Sequence, residues 1–202
     1  MKRRILAILL SLTMMFTLVP TAMAEGSDPV AQIGETTYAT LKAAFEGAKD
    51  GDTITLTNDI KVEDTLVVTK TLTLDLAGHT LSNEKNIWSD NNWSLISVRG
   101  NGNLTITGNG KLEAKKDDCY PVDVQDEGAQ LTIEDGTFIG NIHAVYVETG
   151  AAYIKGGTYS VQQKYPDSSK ADEFVLNLYD ANRRNGTAKL SVSGGIFVAF
   201  NP

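Results

Sequence analysis

Three charged residues at outward positions of the predicted strands are the best candidates for chemistry: Asp123, Glu148 and Arg99. They occur in the similar stretches VDVQ, YVET and SVRG, and the spacing predicts that their side chains point outward from neighbouring strands. Carboxylates there could bind calcium, which prefers oxygen ligands. Asp123 with Glu148 could also supply the two carboxylates that glycoside hydrolysis needs. The alternative is a solvated strand face with one arginine–carboxylate contact, so no catalytic residue is assigned beyond these candidates.

A second set of candidates is aromatic. The stretch SNEKNIWSDNNWS (82–94) interrupts a repeat and carries Trp88 and Trp93 among polar residues. Indole planes suit the C–H faces of sugar rings, and long polar insertions on a regular scaffold often carry function. Tyr146 and Tyr179 fall at outward strand positions and complete the predicted glycan-binding set. In the alternative, one or both indoles fold back to cover a side of the molecule.

Short repeated strands must position these side chains. Four segments share one pattern of strand, glycine-containing turn, strand, glycine turn, and an aromatic or leucine residue. They are LISVRGNGNLTITGNGKL (95–112), PVDVQDEGAQLTIEDGTF (121–138), AVYVETGAAYIKGGTY (144–159) and VLNLYDANRRNGTAKLSVSGGIF (175–197). Alternating apolar residues indicate strands, and we predict three-strand units stacked in parallel about 4.8 Å apart. A second insertion, QQKYPDSSKADE (162–173), interrupts the last unit.

Aligning the four segments predicts which side chains share the core. The first strands should contribute Ile96/Val98, Val122/Val124, Val145/Val147 and Leu176/Leu178. The second strands should contribute Leu104/Ile106, Leu131/Ile133, Ala152/Ile154 and Leu190/Val192. The residues after the second turn are Leu112, Phe138, Tyr159 and Phe197. Each unit would then bury its apolar residues against the units above and below it.

One amphipathic helix precedes the strands. Residues 38–49, YATLKAAFEGAK, place Leu41, Ala44, Phe45 and Ala48 on one helical face, with Thr37 or Thr40 as the cap. Stacked strands expose core side chains and unpaired edges at each end. The helix is therefore predicted to cover both. The predicted domain runs over 38–202 with the helical cap at 38–49, after a lead at 25–37.

The segments YATLKAAFEGAKDGDTITLTNDI and TLVVTKTLTLDLAGHTL resemble the N-terminal cap and first coils of right-handed parallel β-helix proteins. These form the pectin-lyase-like superfamily, in the type common among secreted and surface proteins of bacteria. The resemblance extends in pattern over 31–197. It implies an all-β fold, a right-handed parallel β-helix (solenoid) with an N-terminal capping α-helix.

Many members of that superfamily are lyases or hydrolases of polysaccharides, and many others are adhesins or repeat modules of surface proteins. The resemblance implies that Arg99 could abstract the proton alpha to a uronate carboxylate. The chain lacks a repeated Asp cluster and a lyase-like Arg-x-Pro motif. The pairs Glu134–Asp135 and Asp117–Asp118 are adjacent, so on a strand they would point to opposite faces.

The first 24 residues predict a secretory signal peptide, with a basic start, an apolar run and Ala22-Met23-Ala24 at the cleavage site. The remaining chain has 15 basic and 25 acidic residues, a net charge of −10. Such a surface disfavours nucleic acid and anionic membranes as partners, and no membrane insertion is expected after signal removal. Cys119, the one cysteine, is predicted to be unpaired and unreactive.

We therefore expect a secreted or cell-surface module that is not catalytic and binds glycan or protein through its outer face and inserted loops. The alternatives are a lyase or hydrolase acting on uronate-type glycans, and a structural stalk segment. No cofactor is expected, with calcium left open. Phe197 and Phe200 near the end of the chain predict an open apolar end, for self-association or a continuing chain.

Overall fold

The computed structural model describes residues 28–163 and 174–198, and these form three sheets and two short helices. We number the strands along the chain and name the sheets A, B and C. Sheet A contains β1 (Ala31–Ile33), β2 (Thr36–Tyr38), β3 (Thr53–Leu56), β6 (Thr71–Asp75), β9 (Asn103–Thr107), β12 (Gln130–Ile133), β15 (Gly150–Ile154) and β18 (Ala188–Val192). Sheet B contains β4 (Ile60–Val62), β7 (Thr80–Asn83), β10 (Lys111–Glu113), β13 (Thr137–Gly140), β16 (Thr158–Val161) and β19 (Ile196–Val198). Sheet C contains β5 (Leu66–Val68), β8 (Ser94–Val98), β11 (Tyr120–Val124), β14 (Val145–Val147) and β17 (Leu176–Leu178), and the helices are α1 (Leu41–Gly47) and α2 (Asp180–Asn185).

From β3 onward, consecutive strands visit sheets A, B and C in turn, and each strand pairs in parallel with the strand three places later. We call three such consecutive strands a repeat unit. In sheet C, Val122 pairs with Val145 and Val124 with Val147, as the alignment predicts. The predicted neighbours in sheets A and B are confirmed in the same way. The chain is therefore an all-β protein with parallel sheets.

The core lies between the inner faces of the three sheets. The strand β9 shows period-two alternation: Leu104 and Ile106 are buried, and the other three residues of the strand are partly exposed. Aromatic residues stack along sheet B, with ring centroids 5.2 Å apart for Phe138 and Tyr159 and 5.1 Å apart for Tyr159 and Phe197. Each layer therefore buries apolar surface against the next one.

The predicted helix is present but shorter than 38–49. Its N-cap is Thr40, whose hydroxyl accepts a hydrogen bond from Ala43 N at 3.1 Å, and Leu41 and Phe45 are buried. The last turn is closed by Lys70, whose Nζ donates to the carbonyl of Ala48 at 2.7 Å and to two preceding carbonyls. A positive charge at this end of a helix is stabilising. The helix thus covers core side chains, as predicted.

The helix does not cover the edge of the first strand of sheet A. The hairpin β1–β2 does so, because β1 pairs antiparallel with β3, with Ala31 opposite Leu56. Helical backbone groups are used within the helix, so α1 cannot extend the hydrogen-bonded ladder of the sheet, whereas a strand can. The predicted lead 25–37 therefore contributes β1 and part of β2 to the sheet, and the expectation that α1 alone covers this end needs correction.

Helix α2 connects β17 to β18, at a place where the sequence NRRN predicts only a turn. At this end Ile196 is 65% exposed and Val198 is 57% exposed. Phe200, predicted near the open end, lies outside the described residues, as do the predicted signal peptide and most of the second insertion. Neither described helix is long and apolar enough to cross a membrane.

Candidate functional site

Both inserted segments leave the repeat at the same place, the connection from sheet B to sheet C. Residues 84–93 connect β7 to β8, and residues 162–175 connect β16 to β17. The intervening units make this connection with 114–119 and 141–144. Because each unit lies on the previous one, these connections adjoin along one side of the molecule, which we call the B–C corner.

Asp118 lies in the connection between β10 and β11, and it fixes the inserted segment of the preceding unit, which connects β7 to β8. Its Oδ2 accepts hydrogen bonds from Asn83 Nδ2 at 2.8 Å and from Ile87 N at 2.9 Å, and its Oδ1 accepts one from Trp88 N at 3.0 Å. The side chain is buried. A buried carboxylate that accepts three hydrogen bonds holds its donors in one arrangement. Sequence analysis missed this role, since it considered Asp118 only as half of a hydrolytic pair.

The inserted segment brings its two indoles to an aromatic cluster, which consists of Trp88, Trp93, Tyr120, His143 and Tyr146. Ring centroids are 5.4 Å apart for Trp88 and Tyr120, and 5.9 Å apart for Trp93 and Tyr146. The two indoles are 6.3 Å apart. Trp88 is 47% exposed, while Trp93 is partly buried. The indoles therefore do not pack into the core, and Trp88 is about half exposed to solvent.

The two predicted tyrosines differ in their relation to this cluster, since Tyr146 belongs to it and Tyr179 does not. Tyr146 contacts Trp93 directly, and burial raises its pKa to about 12, with smaller contributions from Glu148 and Tyr179. Tyr179 is exposed and precedes α2. Three of the four predicted glycan-binding residues thus come together in the aromatic cluster, while Tyr179 lies further along sheet C, directly after β17.

His143 and Tyr120 join the cluster without having been predicted. The Nδ1 of His143 donates to Phe174 O at 2.8 Å, and its Nε2 accepts from Asn177 Nδ2 at 2.9 Å. Both contacts fit the neutral imidazole protonated on Nδ1. The ring is buried and lies 5.0 Å from Tyr120, so His143 supports the aromatic residues. The sequence shows only a single histidine before a predicted strand, and this pattern does not distinguish a residue of the site from an ordinary buried histidine.

The catalytic candidates Asp123 and Arg99 meet through Ser97. Asp123 pairs with Ser97 across β11 and β8, and the Nε of Arg99 donates to Ser97 Oγ at 2.9 Å. The guanidinium also donates to Asn92 Oδ1 at 3.0 Å and to Asn91 O. Arg99 is therefore engaged in holding the inserted segment against sheet C.

Asp123 has no exposed surface. Its Oδ2 accepts from Gln125 Nε2 at 2.9 Å, while Oδ1 has no hydrogen-bond partner among the described residues. Burial raises the pKa of Asp123 to about 6, and Ser97, Gln125, Ser94 and Arg99 oppose that rise. Burial also raises the pKa of the third candidate, Glu148, with a smaller contribution from the charge of Asp126. A carboxylate closed to solvent offers a substrate no access, so Asp123 is not available for chemistry in this structure.

Two other features of the chain bear on chemistry. Cys119 is buried and unpaired, and burial raises the pKa of its thiol well above the usual range, which makes it unreactive. Within residues 28–163 and 174–198, no group of three or more His, Cys, Asp or Glu side chains could hold a metal ion.

Two cavities lie at the surface of the described chain, one at its N-terminal end and one at the B–C corner. One of about 880 Å³ lies at the N-terminal end, between α1 and strands β4 and β5, where core residues such as Phe45 and Leu66 form its floor. The other, of about 420 Å³, lies at the B–C corner and includes Trp88. We assign the site to the smaller cavity, since the larger one is the gap between the helix and the first unit.

Comparison of the chain with protein-family models, with curated proteins and with solved structures gives no match.

Proposed function

We propose that the chain is a right-handed parallel β-helix of the pectin-lyase-like kind, secreted or held at a bacterial cell surface, that binds glycan without catalysis. The repeated passage of the chain through three parallel sheets supports the fold. The charged start and apolar run of residues 1–24 support secretion. A protein partner on the same face is the alternative occupant.

One observation carries the binding function: an exposed indole is held rigidly at the B–C corner. The backbone of Trp88 is fixed by buried Asp118, and its ring lies perpendicular to the ring of Tyr120. An aromatic plane that is already ordered stacks on a sugar ring with little loss of side-chain entropy. The lyase or hydrolase alternative has less support, because Asp123 is enclosed and Arg99 is engaged with the inserted segment.

The test is a glycan array probed with the secreted chain, with calcium and with a chelator. We expect binding to a subset of glycans, and we expect Trp88→Ala to weaken it at least about tenfold, because a central aromatic contact contributes about 2 kcal/mol or more and about 1.4 kcal/mol corresponds to a factor of ten. Uronate polymers incubated with the protein, and monitored for unsaturated products, provide the measurement for the enzyme alternative.

The matched control is Tyr153→Ala. Tyr153 is also an exposed aromatic residue, at 40%, but it lies on β15 of sheet A. Its removal should leave binding unchanged. Equal losses for the two variants, or no bound glycan on the array, would count against the proposed function.

A second proposal, end-to-end association, is favoured by the exposed apolar residues of β19. The outer edges of β17, β18 and β19 pair with no strand among the described residues, and open edges tend to pair with other chains. We expect concentration-dependent association in sedimentation equilibrium, and Ile196→Lys should abolish it by placing a charge at the edge. Tyr153→Lys, one unit away, should not. A wild-type chain that stays monomeric at high concentration would contradict this proposal.

A further inference from the structure

The cavity at the B–C corner, which we call the corner cleft, is built from four successive repeat units. Its volume is about 420 Å³, which lies within the usual range of about 300–1,000 Å³ for small-ligand sites. Beside the buried Asp118, its lining consists of Asn86, Trp88, Asp117, Asn141, Ile142 and Gln163. The cleft thus joins one exposed indole and one apolar side chain to a set of amides and carboxylates.

The polar groups of the corner cleft that remain available are mostly acceptors. Gln163 donates its Nε2 to Lys116 O at 3.0 Å, which leaves its Oε1 as an acceptor. Asp117 is exposed, and its carboxylate has no hydrogen-bond partner in the part of the chain that the structure describes. Asn86 accepts from Lys115 Nζ at 2.7 Å and so keeps its amide NH2 as a donor. A ligand rich in O–H donors, with some acceptors, matches this set.

The charge of the corner cleft disfavours an anion. Its lining, within the described residues, includes the carboxylates of Asp117 and Asp118 and no basic side chain. Among the residues that the structure describes, Lys115 reaches the edge of the cleft through Asn86 and offsets one of the two negative charges. A carboxylate or sulfate on the ligand would be desolvated beside the remaining negative charge, and like charges in contact are unfavourable.

We propose, on the basis of the glycan-binding function above, that the corner cleft binds an uncharged pyranose unit and rejects uronates and other acidic sugars. The sugar ring stacks on Trp88, and its hydroxyl groups donate to Asp117 and to Gln163 Oε1. Asp117 is the specificity-determining residue, because it accepts from hydroxyl groups and repels acidic substituents.

The experiment measures binding of wild type, Asp117→Asn and Asp117→Lys to an array of matched neutral and acidic polymers, including methyl-esterified and de-esterified galacturonan. Wild type should bind neutral glycans alone. Asp117→Asn should lose about tenfold in that affinity, since a neutral amide oxygen accepts a hydrogen bond more weakly than a carboxylate does. Asp117→Lys should lose the neutral glycans and gain acidic ones.

The control is Asp90→Asn, which removes the same charge from an exposed residue of the inserted segment outside the cleft lining and should leave the profile unchanged. Binding of acidic glycans by wild type, lost in Trp88→Ala, would overturn the assignment of an uncharged sugar and leave the proposed function standing. An array with no bound glycan would overturn both. Equal effects of Asp90→Asn and Asp117→Asn would overturn the role of Asp117 in the cleft.

Discussion

Asp118→Ala should lower the free energy of unfolding by about 2–4 kcal/mol, because the buried donors Asn83 Nδ2, Ile87 N and Trp88 N lose their acceptor. This carboxylate fixes the half of the inserted segment that carries Trp88, whereas Arg99 holds the half at Asn91 and Asn92. Trp88 should then lose its fixed orientation, and glycan binding should fall with it. Urea unfolding at neutral pH measures the first effect, and tryptophan fluorescence together with the glycan array measures the second.

Two variants provide controls for this prediction. Asp118→Asn keeps one acceptor oxygen, so its loss of stability should be smaller. Asp117→Ala changes the exposed neighbour, and surface replacements of this kind usually alter stability by less than about 0.5 kcal/mol. If Asp118→Ala and Asp117→Ala unfold at the same urea concentration, the hydrogen bonds of Asp118 do not hold the segment.

The core of this fold was predictable because its determinants are periodic. Alternation along Val122–Val124 and Val145–Val147, with glycine turns at matching places, leaves one parallel register in which both pairs face inward, and that register is observed. The clustering of Trp93 with Tyr146 follows less directly. Predicting this contact requires the backbone path of residues 84–93, and these residues show no repeating pattern from which that path could be inferred.

The anchor of the site was not predictable in this way. Asp117 and Asp118 are identical in type and adjacent, yet one is exposed and the other is buried. What separates them is contact with Ile87 and Trp88, about thirty residues earlier in the chain. The hairpin β1–β2 was missed for a related reason. Its strands of three residues are too short to show alternation, and pairing with β3 stabilises them.

Asp123→Asn should stabilise the protein at neutral pH and remove a pH dependence. Burial raises the pKa of Asp123 from 3.8 to about 6 in the folded state, so the folded chain keeps a proton that the unfolded chain has released. The stability that this proton provides is complete below about pH 4 and is lost as the pH rises to about 6, a change of about 3 kcal/mol. Asparagine carries no titrating proton, and its oxygen can still accept from Gln125.

The measurement is the free energy of unfolding in urea from about pH 4 to about pH 7, compared between wild type and Asp123→Asn. The difference should grow in favour of the variant across that interval and then level off. Glu127→Gln, an exposed carboxyl in the turn after β11, should run parallel to wild type. A constant difference between wild type and Asp123→Asn would mean that Oδ1 is solvated or paired in solution, and that Asp123 is ionised in the folded chain at all these pH values. In that case Asp123 would be open to solvent, and a substrate could reach it. The lyase or hydrolase alternative would then gain support, because it has less support here only while Asp123 is enclosed.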